Sequence, residues 1–164
     1  MRINIGFLLG QPVGTYRDFE FQQPRLSFPP DLAVQEFEGT ARFSRAQQGL
    51  LVRGEFKALI EAECVRCLAG FLQPIHTVFE ELYAFNENNV DESHLLVPFD
   101  GYIDLGPLVR EYFLVEIPIS PLCKPDCKGL CPICGEDLNV RTCEHMSIEG
   151  FEQGQAPARS FNPK

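Results

Sequence analysis

"LLVRGEFKALIEAEC", residues 50–64, alternates in side-chain character over more than a dozen positions. Leu50, Val52, Phe56, Ala58, Ile60 and Ala62 fall on one face of an extended chain. Arg53, Glu55, Lys57, Glu61 and Glu63 fall on the other, and Leu51 and Leu59 break the rule. A period of two marks a strand with one face in a core and one in water. The stretch before it, "VQEFEGTARFSR" (34–45), alternates as well, and the polar "AQQG" (46–49) joins the two. Together they read as an antiparallel hairpin.

Working outward, the same signal recurs. Ile3, Ile5, Phe7 and Leu9 suggest a first strand, and "TYRDFEF" (15–21) a second. "QPRLSFPPD" (23–31) carries three prolines and reads as a loop or a sheet edge. "FLQPIHTVFEELYAF" (71–85) is a further strand, and "NENNVDESH" (86–94) a mobile polar connection. The period then changes. Leu105, Leu108, Val109, Tyr112 and Phe113 follow helical spacing, with Asp104 as N-cap, Pro107 in the first turn and Pro118 as the stop. The fold class expected is α+β. It would be mainly an antiparallel sheet or a partly closed barrel of hairpins, with one amphipathic helix near 105–116 and a cysteine-rich tail. The division expected is 1–120 for the β domain, 121–146 for a metal-binding module and 147–164 for a disordered tail.

Bulk properties narrow the class. The hydrophobic fraction is 45%, ordinary for a globular chain. No run approaches the ~18 apolar residues of a membrane span. "MRINIGFLLGQPVG" lacks a small-residue cleavage site and reads as a strand, not a signal peptide. A reducing cytoplasm is therefore expected, and the seven cysteines, an odd number, fit it better than a disulfide framework. The net charge is −9. Residues 64–120 hold two basic and nine acidic side chains, so they carry nearly all the excess. Such a segment repels phosphates and attracts basic partners.

The cysteines carry the chemistry. Five lie in "CKPDCKGLCPICGEDLNVRTCEH" (123–145), at Cys123, Cys127, Cys131, Cys134 and Cys143, and the stretch ends at His145. "CPICG" has the form of a zinc knuckle: two thiolates two residues apart reach one tetrahedral ion, and Gly135 permits the turn that follows. Four or more of these six residues are expected to bind zinc, and the spacing leaves open which. Cys64 and Cys67, in "CVRC", are a lone pair and a weak signal. Counted in, they make eight candidate ligands, enough for two sites. His76 and His94 have no partner at motif spacing. There is no Gly-rich phosphate loop, no nucleophile elbow and no open-sided metal motif. Glu80 and Glu81 fall on opposite faces of a strand. An enzyme is not expected.

"ECVRCL", "YIDLGPLVREYFLVEIPISPLC" and "DCKGLCPICGEDLN", followed by C-x-H, resemble the YceD family, the large ribosomal RNA subunit accumulation proteins. The resemblance runs from Cys64 to His145. It implies a non-enzymatic bacterial or plastid factor that supports accumulation or processing of 23S rRNA and assembly of the large ribosomal subunit. It marks all seven cysteines as motif positions. His145 stands where the family has a final cysteine, and imidazole can replace thiolate on zinc. The family's "DPR" ending is absent. The partner expected is a basic ribosomal protein or a pre-ribosomal particle, with no membrane and no small-molecule substrate. The alternative is a zinc-dependent RNA-binding protein that contacts rRNA through Lys124, Lys128 and Arg141, a modest patch.

Overall fold

The computed structural model describes residues 1–89 and 94–147. The chain forms two compact units, one of Met1–Ala62 with Phe71–Ile119, the other of Glu63–Gly70 with the described residues from Ser120 onward. No helix among the described residues is long and apolar enough to cross a membrane.

The first unit is built on a four-stranded antiparallel sheet. Its strands are β2 (Tyr16–Phe28), β3 (Leu32–Arg45), β4 (Gly49–Glu63) and β5 (Gly70–Ala84), in that spatial order. The alternation read from residues 34–63 sets the register: Phe43 faces Val52, Ala41 faces Gly54 and Glu38 faces Lys57. A β-bulge between Gln35 and Glu38 breaks it once, with Glu36 at φ +50°. A second, two-stranded sheet pairs β1 (Arg2–Asn4) with β6 (Tyr102–Asp104), and α2 (Gly106–Glu116) follows.

The core is aromatic. Phe37 stacks on Phe56 with ring centroids 5.4 Å apart, Phe56 on Phe79 at 6.0 Å, and Phe79 on Tyr112 of α2 at 4.7 Å. Phe113 meets Phe28 and Phe37 edge-on. Such pairs add about 0.5–1.5 kcal/mol each beyond the area they bury. Gly54 makes room for the stack, since a Cβ there would lie 2.4 Å from the Phe79 ring.

The other face of the sheet meets water, and its side chains line up in rows across the strands. Asp18, Arg42 and Arg53 form one row, Glu20, Thr40 and Glu55 the next, and Gln22, Glu38 and Lys57 the third. Arg42 pairs with Asp18 at 2.7 Å, Arg53 pairs with Glu80 of β5, and His76 reaches Glu55 at 3.2 Å. Among the described residues Glu20, Glu36 and Glu38 form no ion pair.

Some expectations change, and two open alternatives are settled. The N-terminal alternation does not continue as one strand. β1 ends at Asn4, whose Oδ1 accepts the Gly6 N–H at 2.9 Å, and Gly6–Leu9 close a short helix, α1. Burying Ile5 and Leu8, three apart, leaves Phe7 42% exposed. The sheet is open and not a barrel, with β2 and β5 at its edges. "QPRLSFPPD" belongs to edge strand β2 as far as Phe28, and the pairing passes over Pro24. An edge tolerates the missing N–H. The N-cap of α2 is Leu105, without a side-chain cap; Asp104 Oδ1 instead accepts the Gly106 N–H and the Met1 ammonium. Part of the polar connection (90–93) and the tail beyond 147 lie outside the described residues.

Candidate metal centre

The second unit contains two copies of one turn. In Cys64–Ala69, the Leu68 N–H donates to the Cys64 carbonyl at 2.9 Å and the Cys64 N–H to the Ala69 carbonyl at 3.0 Å. In Cys131–Glu136, the Gly135 N–H donates to the Cys131 carbonyl at 2.8 Å and the Cys131 N–H to the Glu136 carbonyl at 2.8 Å. Leu68 and Gly135, each just after the second cysteine, both adopt positive φ, +60° and +74°. "CVRC" is therefore a knuckle of the same construction as "CPIC".

Each knuckle gathers two further donors. Cys64 and Cys67 meet Cys123 and Cys127, while Cys131 and Cys134 meet Cys143 and His145. Within each group the ligand atoms all lie within 4.8 Å of one another. In the first, Cys64 Sγ is 3.7 Å from Cys127 Sγ, and Cys67 Sγ is 3.6 Å from Cys123 Sγ. A disulfide would bring sulfurs to about 2.05 Å. Four thiolates about 2.3 Å from one tetrahedral ion stand about 3.8 Å apart. All seven cysteines are unbridged.

The electrostatics repeat as well. The Cys64 thiol is lowered to about 6 by the Cys123 amide, against burial, with help from the amides of Cys67 and Arg66. Cys131 is lowered to about 6 by the amides of Cys134 and Ile133. In both knuckles the first cysteine is thus stabilised as thiolate by amides two and three residues on. Cys67 and Cys134 each gain an amide two residues on (Ala69, Glu136), but burial and the neighbouring thiols prevail and raise them. Burial and the adjacent thiols push Cys123 up to about 12. Thiols packed this closely cannot all ionise without a compensating cation.

The donor sets, four thiols in one group and three thiols with an imidazole in the other, suit a tetrahedral ion. A second observation agrees. His145 Nδ1 is buried and has no hydrogen-bond partner among the described residues, as a ligand nitrogen would be without its ion. Both groups could hold a metal. Neither leaves a protein-free corner for an activated water.

A family model described as "Large ribosomal RNA subunit accumulation protein YceD" matches residues 52–157, more than half of the chain. The chain belongs to the YceD family. The match contains every cysteine and His145. An uncharacterised protein of Mycobacterium tuberculosis is 35% identical over 101 residues, covering 59% of this chain and 49% of that protein. This chain thus spans about half the length of the mycobacterial relatives it matches. The uncharacterised protein YlbN of Bacillus subtilis is 27% identical over 136 residues, 73% of this chain and 79% of that protein. A Zea mays protein called "Large ribosomal RNA subunit accumulation protein YCED homolog 1, chloroplastic" is 37% identical over 55 residues, 32% of this chain and 19% of that protein. No solved structure matches the chain.

In this YceD chain Lys124 and Lys128 are exposed, while Arg141 is engaged by Glu136. His76 sits on β5, against Glu55 on the outer sheet face. Two residues absent from the candidate ligands support them. Arg66 Nη1 donates to the Cys127 carbonyl at 2.8 Å, and Asn139 Nδ2 approaches Cys127 Sγ at 3.5 Å. Their signal in the sequence is position alone: Arg66 lies inside one knuckle, and Asn139 five residues past the end of the other.

Proposed function

We propose that this YceD protein is a non-enzymatic assembly factor that supports accumulation or processing of 23S rRNA. In this reading it binds a basic ribosomal protein, or a large-subunit precursor through one, with the outer face of its four-stranded sheet. The observation that carries the reading is the charge of that face. Arg42 and Arg53 on it are paired with Asp18 and Glu80, and among the described residues Glu20, Glu36 and Glu38 form no ion pair, against Arg25 and Lys57 as the other cations of that face. A face with an excess of acid steers cationic partners and repels phosphates.

We assign zinc to both cysteine groups, because thiolate and imidazole in a tetrahedral set suit an ion without redox chemistry. The eight ligands are Cys64, Cys67, Cys123 and Cys127 in one site, and Cys131, Cys134, Cys143 and His145 in the other. Filled in this way, the sites organise the fold and do not catalyse. A reducing compartment such as the cytoplasm would keep the thiols available. Direct rRNA binding through Lys124, Lys128 and Arg141 is less well supported. Arg141 is already paired, and Asp126, Glu136, Asp137 and Glu144 lie in the same segment.

Co-sedimentation with large-subunit precursors, followed by crosslinking, tests the reading. The expected product is a crosslink from β2 or β3 to a basic ribosomal protein. A crosslink to rRNA alone, retained after the ribosomal proteins are stripped, would overturn it in favour of direct RNA binding.

A further inference from the structure

Asn139 lies in the segment between Cys134 and Cys143, so the second cysteine group fixes its place in the chain. Its side chain serves the first group. Nδ2 donates to Asp137 Oδ1 at 2.8 Å and approaches Cys127 Sγ at 3.5 Å, while Oδ1 accepts the Lys128 N–H at 2.9 Å. The environment dictates this orientation. Turning the amide over would set its oxygen against a sulfur and a carboxylate, and its NH2 against an N–H. Asp137 is itself held in place, because its Oδ1 also accepts the Asn139 N–H at 2.9 Å. The two segments are further joined where the Leu138 N–H meets the Gly129 carbonyl at 3.0 Å. On the other side of Gly129, the Leu130 N–H reaches the Arg66 carbonyl in the first knuckle at 2.9 Å.

We propose that Asn139 is a positioning residue through which ordering of the second cysteine group supports metal binding by the first. The inference rests on the reading of both groups as metal sites. An N–H donated to a thiolate withdraws charge from sulfur and holds its lone pairs in a fixed direction. Groups in this outer position are worth about 10–100-fold in metal affinity. Here the donor is carried by the other site's segment, so loss of one ion loosens the other ligand set.

The test uses the full-length, zinc-loaded protein, with zinc release followed by a chromogenic chelator and the sulfur-to-metal absorption read after Co²⁺ substitution. Asn139→Asp keeps the acceptor for Lys128 and removes the donor to sulfur; Asn139→Ala checks that an added charge is not the cause. Cys134→Ser disables the second site, and the release phase that persists in it belongs to the first. The proposal expects Asn139→Asp and Asn139→Ala to speed that phase by about 10–100-fold and to move the first site's Co²⁺ band to lower energy. It expects Cys134→Ser to speed the phase too, with little added by Asn139→Asp in the same chain. An unchanged rate and band in both Asn139 variants overturns the proposal alone. So do effects of Asn139→Asp and Cys134→Ser that multiply as independent changes. Fewer than two zinc ions per wild-type chain overturn the reading of both groups as metal sites.

Discussion

Leu68 and Gly135 hold the same position in two matching turns. Each follows the second cysteine of a knuckle, each donates its N–H to the carbonyl of the first, and φ is +60° in one and +74° in the other. Glycine enters this region freely, whereas a leucine there costs about 1–2 kcal/mol. Leu68 is 58% exposed, so packing returns little of that cost.

Leu68→Gly is therefore expected to stabilise the zinc-loaded second unit, by less than the full strain because glycine also loosens the unfolded chain. Gly135→Ala is expected to destabilise it by about 1 kcal/mol, through backbone strain alone, since nothing lies within 4 Å of the added Cβ. Thermal melts of the two variants check the pair. A clear loss of stability in Leu68→Gly would mean that the leucine side chain does something the turn does not require.

The same position explains what could be read from the sequence and what could not. "CPICG" announces its turn because glycine follows the second cysteine. "CVRCL" hides the identical turn behind a leucine, and its partners Cys123 and Cys127 lie 56 and 63 residues away along the chain. Spacing alone cannot pair thiols at that distance, so the two groups of candidate ligands come together only in three dimensions. The sheet was legible where inward and outward residues alternate without interruption, as in residues 50–63. At the N-terminus a single side chain, Asn4, starts a turn that period-two reading cannot see. The acidic face was half legible. Counting charges by segment pointed to residues 64–120, yet Glu20, Glu36, Glu38 and Glu55 come from earlier strands that pairing brings side by side.

Removal of metal is expected to act on one unit only. Among the described residues, the buried hydrophobic positions of the second unit are Cys64, Cys67, Cys127, Cys131 and Leu138, so most of its interior is candidate ligand. A unit without an apolar core draws its folding energy from the ion. The first unit keeps its phenylalanine core without metal. Chelation under reducing conditions should collapse amide dispersion for residues 63–70 and 120–145 and leave the sheet resonances in place. Retention of dispersion in both segments after complete zinc removal would contradict this.

Gly54 offers a test of the core. Its α-carbon faces inward between the Phe56 and Phe79 rings, and an added Cβ would stand 2.4 Å from Phe79 and 2.8 Å from Phe56. Neither ring can yield without breaking the stack that continues to Tyr112. Gly54→Ala is expected to cost about 1–3 kcal/mol by overpacking, with the zinc content unchanged. Gly10→Ala, where nothing lies within 4 Å, serves as the comparison. Equal stability of the two variants in denaturant titrations would show that the rings are not locked as described.

Charge reversal on the sheet addresses function. Glu20 and Glu38 are exposed and form no ion pair among the described residues, so Glu20→Lys and Glu38→Lys should change stability by no more than about 0.5 kcal/mol. They replace acid with base on the face assigned to a cationic partner. Co-sedimentation with large-subunit precursors is expected to fall severalfold at low ionic strength. The difference should shrink as salt rises, because the Debye length drops from about 30 Å at 0.01 M to about 8 Å at 0.15 M. Glu111→Lys, at an exposed position of α2, changes net charge equally and should have little effect. If all three variants weaken association alike, net charge and not the sheet face governs binding. If none does, the acidic face is not where the ribosomal partner sits.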